Sequence, residues 1–455
     1  MEERKQQELD AESMGEIIAA DDVGIREQEH EEHHHYHHRH HRGHSRRKHH
    51  HHKHKPSKKK NKFAAFIKKH RGALINILSC TVSVVLLIVL AVSIDFSRPE
   101  SKEVNHTDIT QSTVQIETSV YHEKALLVSD AISYYVQQKD SKVSANEVYK
   151  LFNGHKRDLN LGLPLSFTYR VTGLPGGIDA QSAMLEVSEN ADFREAMTYK
   201  LDLDGTGSSL YNLKTGTKYY YRVTLMLTNG GDIATTGSFE TEASPRILNI
   251  DGAVNVRDIG GWSTKDGRTI KQGLLYRGSE IDGAVEPEYK ITDLGLQQMI
   301  AGLGIRFDMD LRSSHENENG TDALGKNVTH KYYGVGMYSE LLKDKEKLKA
   351  VFSGLANPDN YPIYLHCTYG RDRTGSVCYL LEALLGMSEE DLHKEYELSA
   401  FTDSYVNTAE FNAFVELISS FEGETTQEKV EGYLLSIGVT AEEIATIRQI
   451  FLKEE

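Results

Sequence analysis

Three regimes of apolar patterning divide the chain. Residues 72–94, GALINILSCTVSVVLLIVLAVSI, are 23 consecutive uncharged and mostly apolar positions, and a helix needs about 20 of these to cross a hydrocarbon core. One transmembrane helix is expected there. From about 161 to 243 the period falls to two: in YYYRVTLMLTNGG one face carries Tyr219, Tyr221, Val223, Leu225 and Leu227, the other Tyr220, Arg222, Thr224, Met226 and Thr228. That alternation predicts half-buried antiparallel strands. The turn signals LPGG, TGT and TNGG between short runs predict an all-β sandwich. From residue 290 helical patterns such as TDLGLQQMIAGLG and ELLKDKEKLKAVFSGLA alternate with the short apolar runs IRFDMDLRS and YPIYLHC. An α/β domain follows, with a central, mostly parallel sheet flanked by helices.

Residues 95–160 read as a polar stalk with helical segments: apolar positions recur at three and four in HEKALLVSDAISYYVQQ. SANEVYKLFNG adds a capping-box start from Ser144 to Glu147. The expected order is a tail at 1–71, the span at 72–94, the stalk at 95–160, the sandwich at 161–243 and the α/β domain at 244–455. Within the sandwich, LKTGTKYYYRV carries Leu213, Gly216 and Tyr219 and resembles the tyrosine-corner region of fibronectin type III domains. That family's core Trp is missing, since the chain's single Trp is Trp262, and Phe167 is the candidate to fill its place. Such a module serves as a spacer or binds a cell-surface ligand.

Charge gives the span a direction. KHKPSKKKNKFAAFIKKHR precedes it and DFSRPESKEVNHTD follows it, so the positive-inside rule places the N-terminus in the cytoplasm. The expectation is a single-pass protein of the cell membrane with its C-terminal domains outside. Residues 1–71 hold 17 Lys+Arg against 12 Asp+Glu in a chain of net charge −15. The rest is therefore strongly acidic, which excludes non-specific nucleic-acid binding. Within the tail, HEEHHHYHHRHHRGHSRRKHHHHKHK holds 14 of the 22 His; its composition predicts disorder rather than a metal site of fixed geometry. The three cysteines, Cys80, Cys367 and Cys378, form no disulfide framework.

The chemistry lies in HCTYGRDRTG, residues 366–375, between an apparent strand and helix. Wrapped into one turn, Cys367, Thr368, Tyr369, Gly370 and Arg371 would point successive amides inward as a nest for an anion. Arg373 would return a planar fork to two oxygens of the same phosphate. The same positive field lowers a thiol pKa, so Cys367 is expected as a thiolate placed for in-line attack on phosphorus. Thr374 would donate its hydroxyl to the sulfur and ease its departure, and His366 would orient the loop through backbone hydrogen bonds. Cys378, farther along an apolar helix, reads as a packed small hydrophobe.

The stretch resembles the Cys-x5-Arg signature of the protein tyrosine phosphatase superfamily. NVRDIGGWSTKDGRTIKQGLLYRGSEIDG (255–283) and GIRFDMDLRS (304–313) are similar to the bacterial group that includes secreted and lipid-directed phosphatases of mycobacteria and Listeria. The resemblance covers about residues 245–405 and implies hydrolysis of phosphomonoesters through a cysteinyl-phosphate, with no cofactor and no metal. This chain has Tyr369 and Arg371 where that group usually has Ala and Lys. The resemblance points to Asp372 as general acid; Asp310, oriented by Arg312, is the second candidate. Upstream, YYGVGMYSELL offers only Glu340. Arg257 and Asp258 either pin a turn or touch substrate.

The sequence therefore points to a membrane-anchored phosphatase acting on phosphotyrosine in proteins. A broader enzyme acting on phosphoserine, phosphothreonine or phosphoinositides is the alternative. A catalytically silent surface binding protein is the alternative of another class, and the intact Cys367, Asp372 and Arg373 speak against it.

Overall fold

The period-two segment and the alternating segment build separate sheets. In the computed structural model the described residues are 114–120, 124–138, 143–152, 161–316, 322–402 and 406–453, all within the unit Thr107–Glu455. The tail at 1–71 and the span expected at 72–94 lie outside the described residues, among which no helix is long and apolar enough to cross a membrane.

The described chain begins with β1 (Gln115–Thr118), β2 (Lys124–Ala125), α1 (Asp130–Gln137) and α2 (Ala145–Leu151). Ser144 and Glu147 close the capping box at the start of α2. Next come β3 (Leu165–Phe167), β4 (Tyr169–Thr172), β5 (Ala180–Ser188), β6 (Met197–Leu201), β7 (Ser208–Leu210), β8 (Lys218–Leu227) and β9 (Asp232–Thr241). These form a sheet of order β2-β9-β8-β5-β6 and the pairs β1-β4 and β3-β7. Tyr219, Tyr221, Val223, Leu225 and Leu227 of β8 are buried with Phe167 and Leu210 in one apolar core, as the alternation requires. Phe167 meets Tyr221 edge-on at 5.2 Å, and the Tyr219 hydroxyl accepts the Lys214 amide at 2.8 Å.

The C-terminal part contains β10 (Arg246–Ile247), β11 (Arg257–Asp258), β12 (Leu275–Gly278), α3 (Asp293–Gln297), β13 (Phe307–Asp310), β14 (Thr329–Tyr332), α4 (Tyr338–Leu341), α5 (Lys345–Leu355), β15 (Ile363–His366), α6 (Asp372–Leu385), α7 (Glu389–Glu397), α8 (Thr408–Ser419), α9 (Thr426–Ser436) and α10 (Ala441–Phe451). Its sheet has the order β10-β11-β12-β15-β13-β14. The four strands from β12 to β14 are parallel, and β10 and β11 add an antiparallel edge. Side chains alternate across the sheet: Ile363 and Leu365 enter one core and Tyr364 the other. Helix α6 is buried on nearly every side and ends at Gly386, whose φ of +94° forms a left-handed cap.

One expectation is corrected. Helices α1 and α2, read as part of a stalk, do not stand free, because Ala131, Ile132, Tyr135, Ala145 and Val148 share a core with β15 and α6. Helices this short have little stability of their own, so their apolar faces need a partner. Glu397 ties both down, accepting from the Tyr135 hydroxyl at 2.7 Å and the Ala145 amide at 3.0 Å. Ile132→Ala is therefore expected to cost about 2–5 kcal/mol, read from the denaturant midpoint. An unchanged midpoint would show that α1 lies outside the cooperative unit.

Candidate active site

Register sets the site. β12, β15 and β13 run parallel with Gly278, His366 and Asp310 in one row, and loops leaving the carboxyl ends of such strands converge. Cys367 follows that row, 2% exposed, and α6 begins five residues later. Gly370 turns the chain with φ +65°, and a Cβ there would stand 2.2 Å from the Gly278 carbonyl oxygen. Only glycine fits.

The loop carbonyls are drawn backwards. Asn255 Nδ2 donates to the carbonyls of Tyr369 at 3.1 Å and Gly370 at 3.2 Å, and Arg277 Nη2 donates to Gly370 at 2.8 Å. Buried Glu395 fixes these donors by accepting from Arg277 at 2.5 Å and Arg257 at 2.7 Å, while Arg257 holds Asn255 Oδ1 at 2.5 Å. Among the described residues nothing accepts from the amides of Thr368, Tyr369 and Gly370, which leaves them for an anion. Arg257 thus braces the loop from below. Asp258 pairs instead with buried Arg246 at 2.8 Å, and Arg246 also donates to the Leu213 and Asn212 carbonyls of the β-rich part.

Arg373 presents one edge. Its Nη1 donates to both Glu316 oxygens at 2.8 and 2.9 Å, and the Ser313 amide and hydroxyl brace Glu316. Nη2 reaches Thr368 Oγ1 at a long 3.4 Å, while Nε is buried without a partner. The Nε–Nη2 edge is thus available to two phosphate oxygens. Burial alone would raise the Cys367 thiol pKa, but the Arg373 charge and hydrogen bonds from the Thr374 hydroxyl and amide outweigh it and hold the pKa below its ordinary value. The Thr374 hydroxyl is otherwise buried without a partner of good geometry, so the sulfur is the group it serves.

Beneath Cys367 lies a second charged cluster. His366 Nδ1 contacts the Cys367 carbonyl at 3.2 Å. Its Nε2 stands 2.9 Å from Asp308 and 3.7 Å from Asp310; the nearer contact is an ion pair rather than an aligned hydrogen bond. Burial opposes the imidazolium, yet Asp310 and Asp308 push its pKa up to about 9. Asp310 accepts from Arg312 Nε at 3.0 Å and Nη2 at 2.7 Å. Against the penalty of burial, His366, His330 and Arg312 hold the Asp310 carboxyl well below the usual range. A carboxylate so held is a poor proton donor. Arg312, expected to orient Asp310 and to bind substrate, has its donors committed to Asp310, Asp282 and Glu280.

Asp372 occupies the first turn of α6 at the rim of the turn. Arg371 forks onto it, Nε to Oδ1 at 2.9 Å and Nη2 to Oδ2 at 2.9 Å. The Tyr338 hydroxyl donates to Oδ1 as well. Glu340 pairs with Lys343 at the surface and is no part of the site. Tyr369 turns its hydroxyl to Glu286 and its ring to the edge of Tyr289 at 6.1 Å; its pKa is pushed up to about 12, first by that hydrogen bond. Cys378 is buried in the core, where burial pushes its thiol up.

The structure thus gathers Cys367, Thr368, Gly370, Asp372, Arg373 and Thr374 around one anion-sized turn and places Asp310, Arg312 and His366 beneath it. Sequence reasoning missed Asn255, Arg277 and Glu395 as braces, Glu316 as the partner of Arg373, and Tyr338. Asn255 and Arg277 lay inside motifs already singled out. Tyr338 lay in a stretch searched only for carboxylates.

Residues 248–453 match the tyrosine phosphatase family. A tyrosine-protein phosphatase of Nostoc commune is 23% identical over 206 residues, covering 35% of this chain and 70% of the relative. A protein of Cupriavidus necator named as a tyrosine-protein phosphatase is 27% identical over 184 residues, covering 36% and 65%. The chain is a phosphatase. Among solved structures, the core catalytic domain of the PP-IP phosphatase Siw14 from S. cerevisiae, in complex with citrate, is similar at 18% identity, with 36% of this chain and 84% of that one covered and a TM-score of 0.24. PTPMT1 in complex with PI(5)P is similar at 9% identity, with 36% and 94% covered and a TM-score of 0.23.

For this phosphatase, Thr374→Val should raise the Cys367 thiol pKa, because it removes one of the groups that hold it down. Iodoacetamide inactivation is then expected to slow more near pH 6.5 than near pH 9.5, because the thiolate fraction of the variant rises with pH. Equal slowing at both pH values would remove Thr374 from thiolate stabilisation.

Proposed function

We propose that the enzyme hydrolyses phosphotyrosine in proteins through a Cys367 cysteinyl-phosphate. The observation that carries this reading is the lowered Cys367 thiol beside the open edge of Arg373 and the unclaimed loop amides. The thiolate attacks phosphorus as the phosphate oxygens rest on the amides and Arg373. Asp372 gives its proton to the departing phenolic oxygen, then takes one from the water that attacks the S–P bond.

The rim favours one phosphate on an aromatic ring. Arg371 is paired with Asp372, Arg373 with Glu316 and Arg312 with three carboxylates. A ligand with several phosphates would have to displace one of these carboxylates. Tyr369 and Tyr289 supply an aromatic wall, which suits a planar ring. The second reading, a broader enzyme that includes phosphoinositides, rests on Arg371: released from Asp372, its fork matches a further phosphate. The thiolate chemistry weighs against a silent binding protein.

Location belongs to the same proposal. The apolar run at 72–94 and the basic residues before it support a single-pass anchor with the enzyme outside the cytoplasm. The buried Tyr219 and its hydrogen bond to Lys214 support a fibronectin type III-like module, which would bind a cell-surface ligand or act as a spacer.

Full-length enzyme should release phosphate from a phosphotyrosine peptide faster than from a phosphoserine peptide or a phosphoinositide, and Cys367→Ser should abolish release. Faster phosphoinositide turnover would move the assignment to the broader enzyme. No turnover of any substrate would leave the silent binding protein.

A further inference from the structure

Tyr338 is held in an unfavourable backbone conformation. Its φ is +49°, a left-handed value that bulky side chains rarely adopt and that tends to mark functional sites. The turn that presents it is anchored, since the Gly336 amide donates to Asp344 at 2.8 Å and a Cβ on Gly336 would stand 2.8 Å from Glu340 Cβ. The hydroxyl it delivers is buried between two partners, Asp372 Oδ1 and the Tyr396 hydroxyl at 2.8 Å.

Tyr396 is itself fixed. Its ring stacks on Phe411 at 3.5 Å between centroids, with planes 2° apart, and lies so close to α6 that a Cβ on Gly375 would meet it at 2.7 Å. A phenol has one proton to donate. Tyr338 gives its proton to Asp372 and so accepts from Tyr396, making a directed relay from α7 to the first turn of α6. Among the described residues Oδ1 of Asp372 then accepts from two donors, Tyr338 and Arg371 Nε, whereas Oδ2 accepts from Arg371 Nη2 alone.

We propose that Tyr338, backed by Tyr396, is the positioning residue of the general acid: it pins Oδ1 of Asp372 so that Oδ2 carries the proton to the leaving oxygen. The inference rests on the reading of Asp372 as that acid. During the first step the S–P bond forms, the P–O bond to the leaving group breaks, and the Oδ2 proton moves to the leaving oxygen. Arg371 Nη2 must swing off Oδ2 to permit this, while the Tyr338 contact stays. The Tyr338 hydroxyl is taken up by Asp372 and Tyr396, so its removal should affect protonation of the leaving group and leave phosphate binding in place.

The test is leaving-group dependence in the full-length enzyme. Tyr338→Phe, Tyr396→Phe and Asp372→Asn are compared on a phosphotyrosine peptide, whose phenol has a pKa of about 10, and on p-nitrophenyl phosphate, whose more acidic phenol departs with less help. Asp372→Asn is expected to lose on the order of 100-fold in kcat/KM, which ends with departure of the leaving group, on the peptide and far less on the nitrophenyl ester. Tyr338→Phe should lose on the order of tenfold in kcat/KM on the peptide and much less on the ester. Tyr396→Phe should follow the same direction more weakly.

Equal losses on both substrates for Tyr338→Phe would make its role merely structural and overturn the proposal. So would a peptide kcat/KM at the parent level. Should Tyr338→Phe fail to fold, Tyr396→Phe decides by the same contrast. If Asp372→Asn shows no leaving-group contrast, the acid assignment itself falls; if it does and neither tyrosine variant does, only the positioning role falls.

Discussion

The turn at Cys367 depends on a carboxylate buried behind it. Glu395 lies buried between Arg257 and Arg277, and burial would expel a lone charge of either sign. Burial opposes its ionised form, but the two guanidinium groups outweigh that and lower its pKa. Between them the three groups aim Arg277 and Asn255 at the carbonyls of residues 369 and 370 and draw these away from the anion site. A peptide unit whose carbonyl is held back turns its amide forward. Breaking such a pair by removing one partner commonly costs about 3–5 kcal/mol, far more than an exposed pair, so the loop conformation is set with a strength that a few surface contacts would not provide.

The same logic explains how a buried thiol is kept acidic. Burial alone opposes the thiolate, and only the charge of Arg373 with the Thr374 hydroxyl and amide reverses the direction. The acidic pair Asp308 and Asp310 would work against them, but His366 stands as a cation against both. Arg312 takes up the rest of Asp310. The negative charge beneath the loop is thereby neutralised before it reaches the sulfur.

The turn at Cys367, its strand and its helix were legible because they rest on local rules: an apolar run, one glycine that must turn, and arginine at a fixed offset. The β-rich segment was legible for a similar reason, since Tyr219 through Leu227 alternate by burial as they alternate by type. What sequence could not supply was contact across long separations. Glu395 is 138 residues from Arg257 and 118 from Arg277, and nothing in its own helical pattern marks it as buried. Helices α1 and α2 passed for a stalk because their polar surroundings were visible and the core receiving their apolar faces was not. Asp310 looked like an acid by residue type, whereas the cations packed around it make it a permanent carboxylate.

Acid and nucleophile, on the proposed reading, ride on one rigid unit. Asp372 belongs to the first turn of α6 and Cys367 to the turn that feeds it, and α6 is clamped on nearly every side. An acid carried on a separate mobile loop must wait for that loop to close, with motion on the microsecond to millisecond scale setting the rate. Here the distance between the two groups is set by folding, and a rotation of the Arg371 side chain is enough to free the proton-bearing oxygen. On that reading selectivity falls to the rim, where paired charges and Tyr369 decide what reaches the turn, rather than to a closure step.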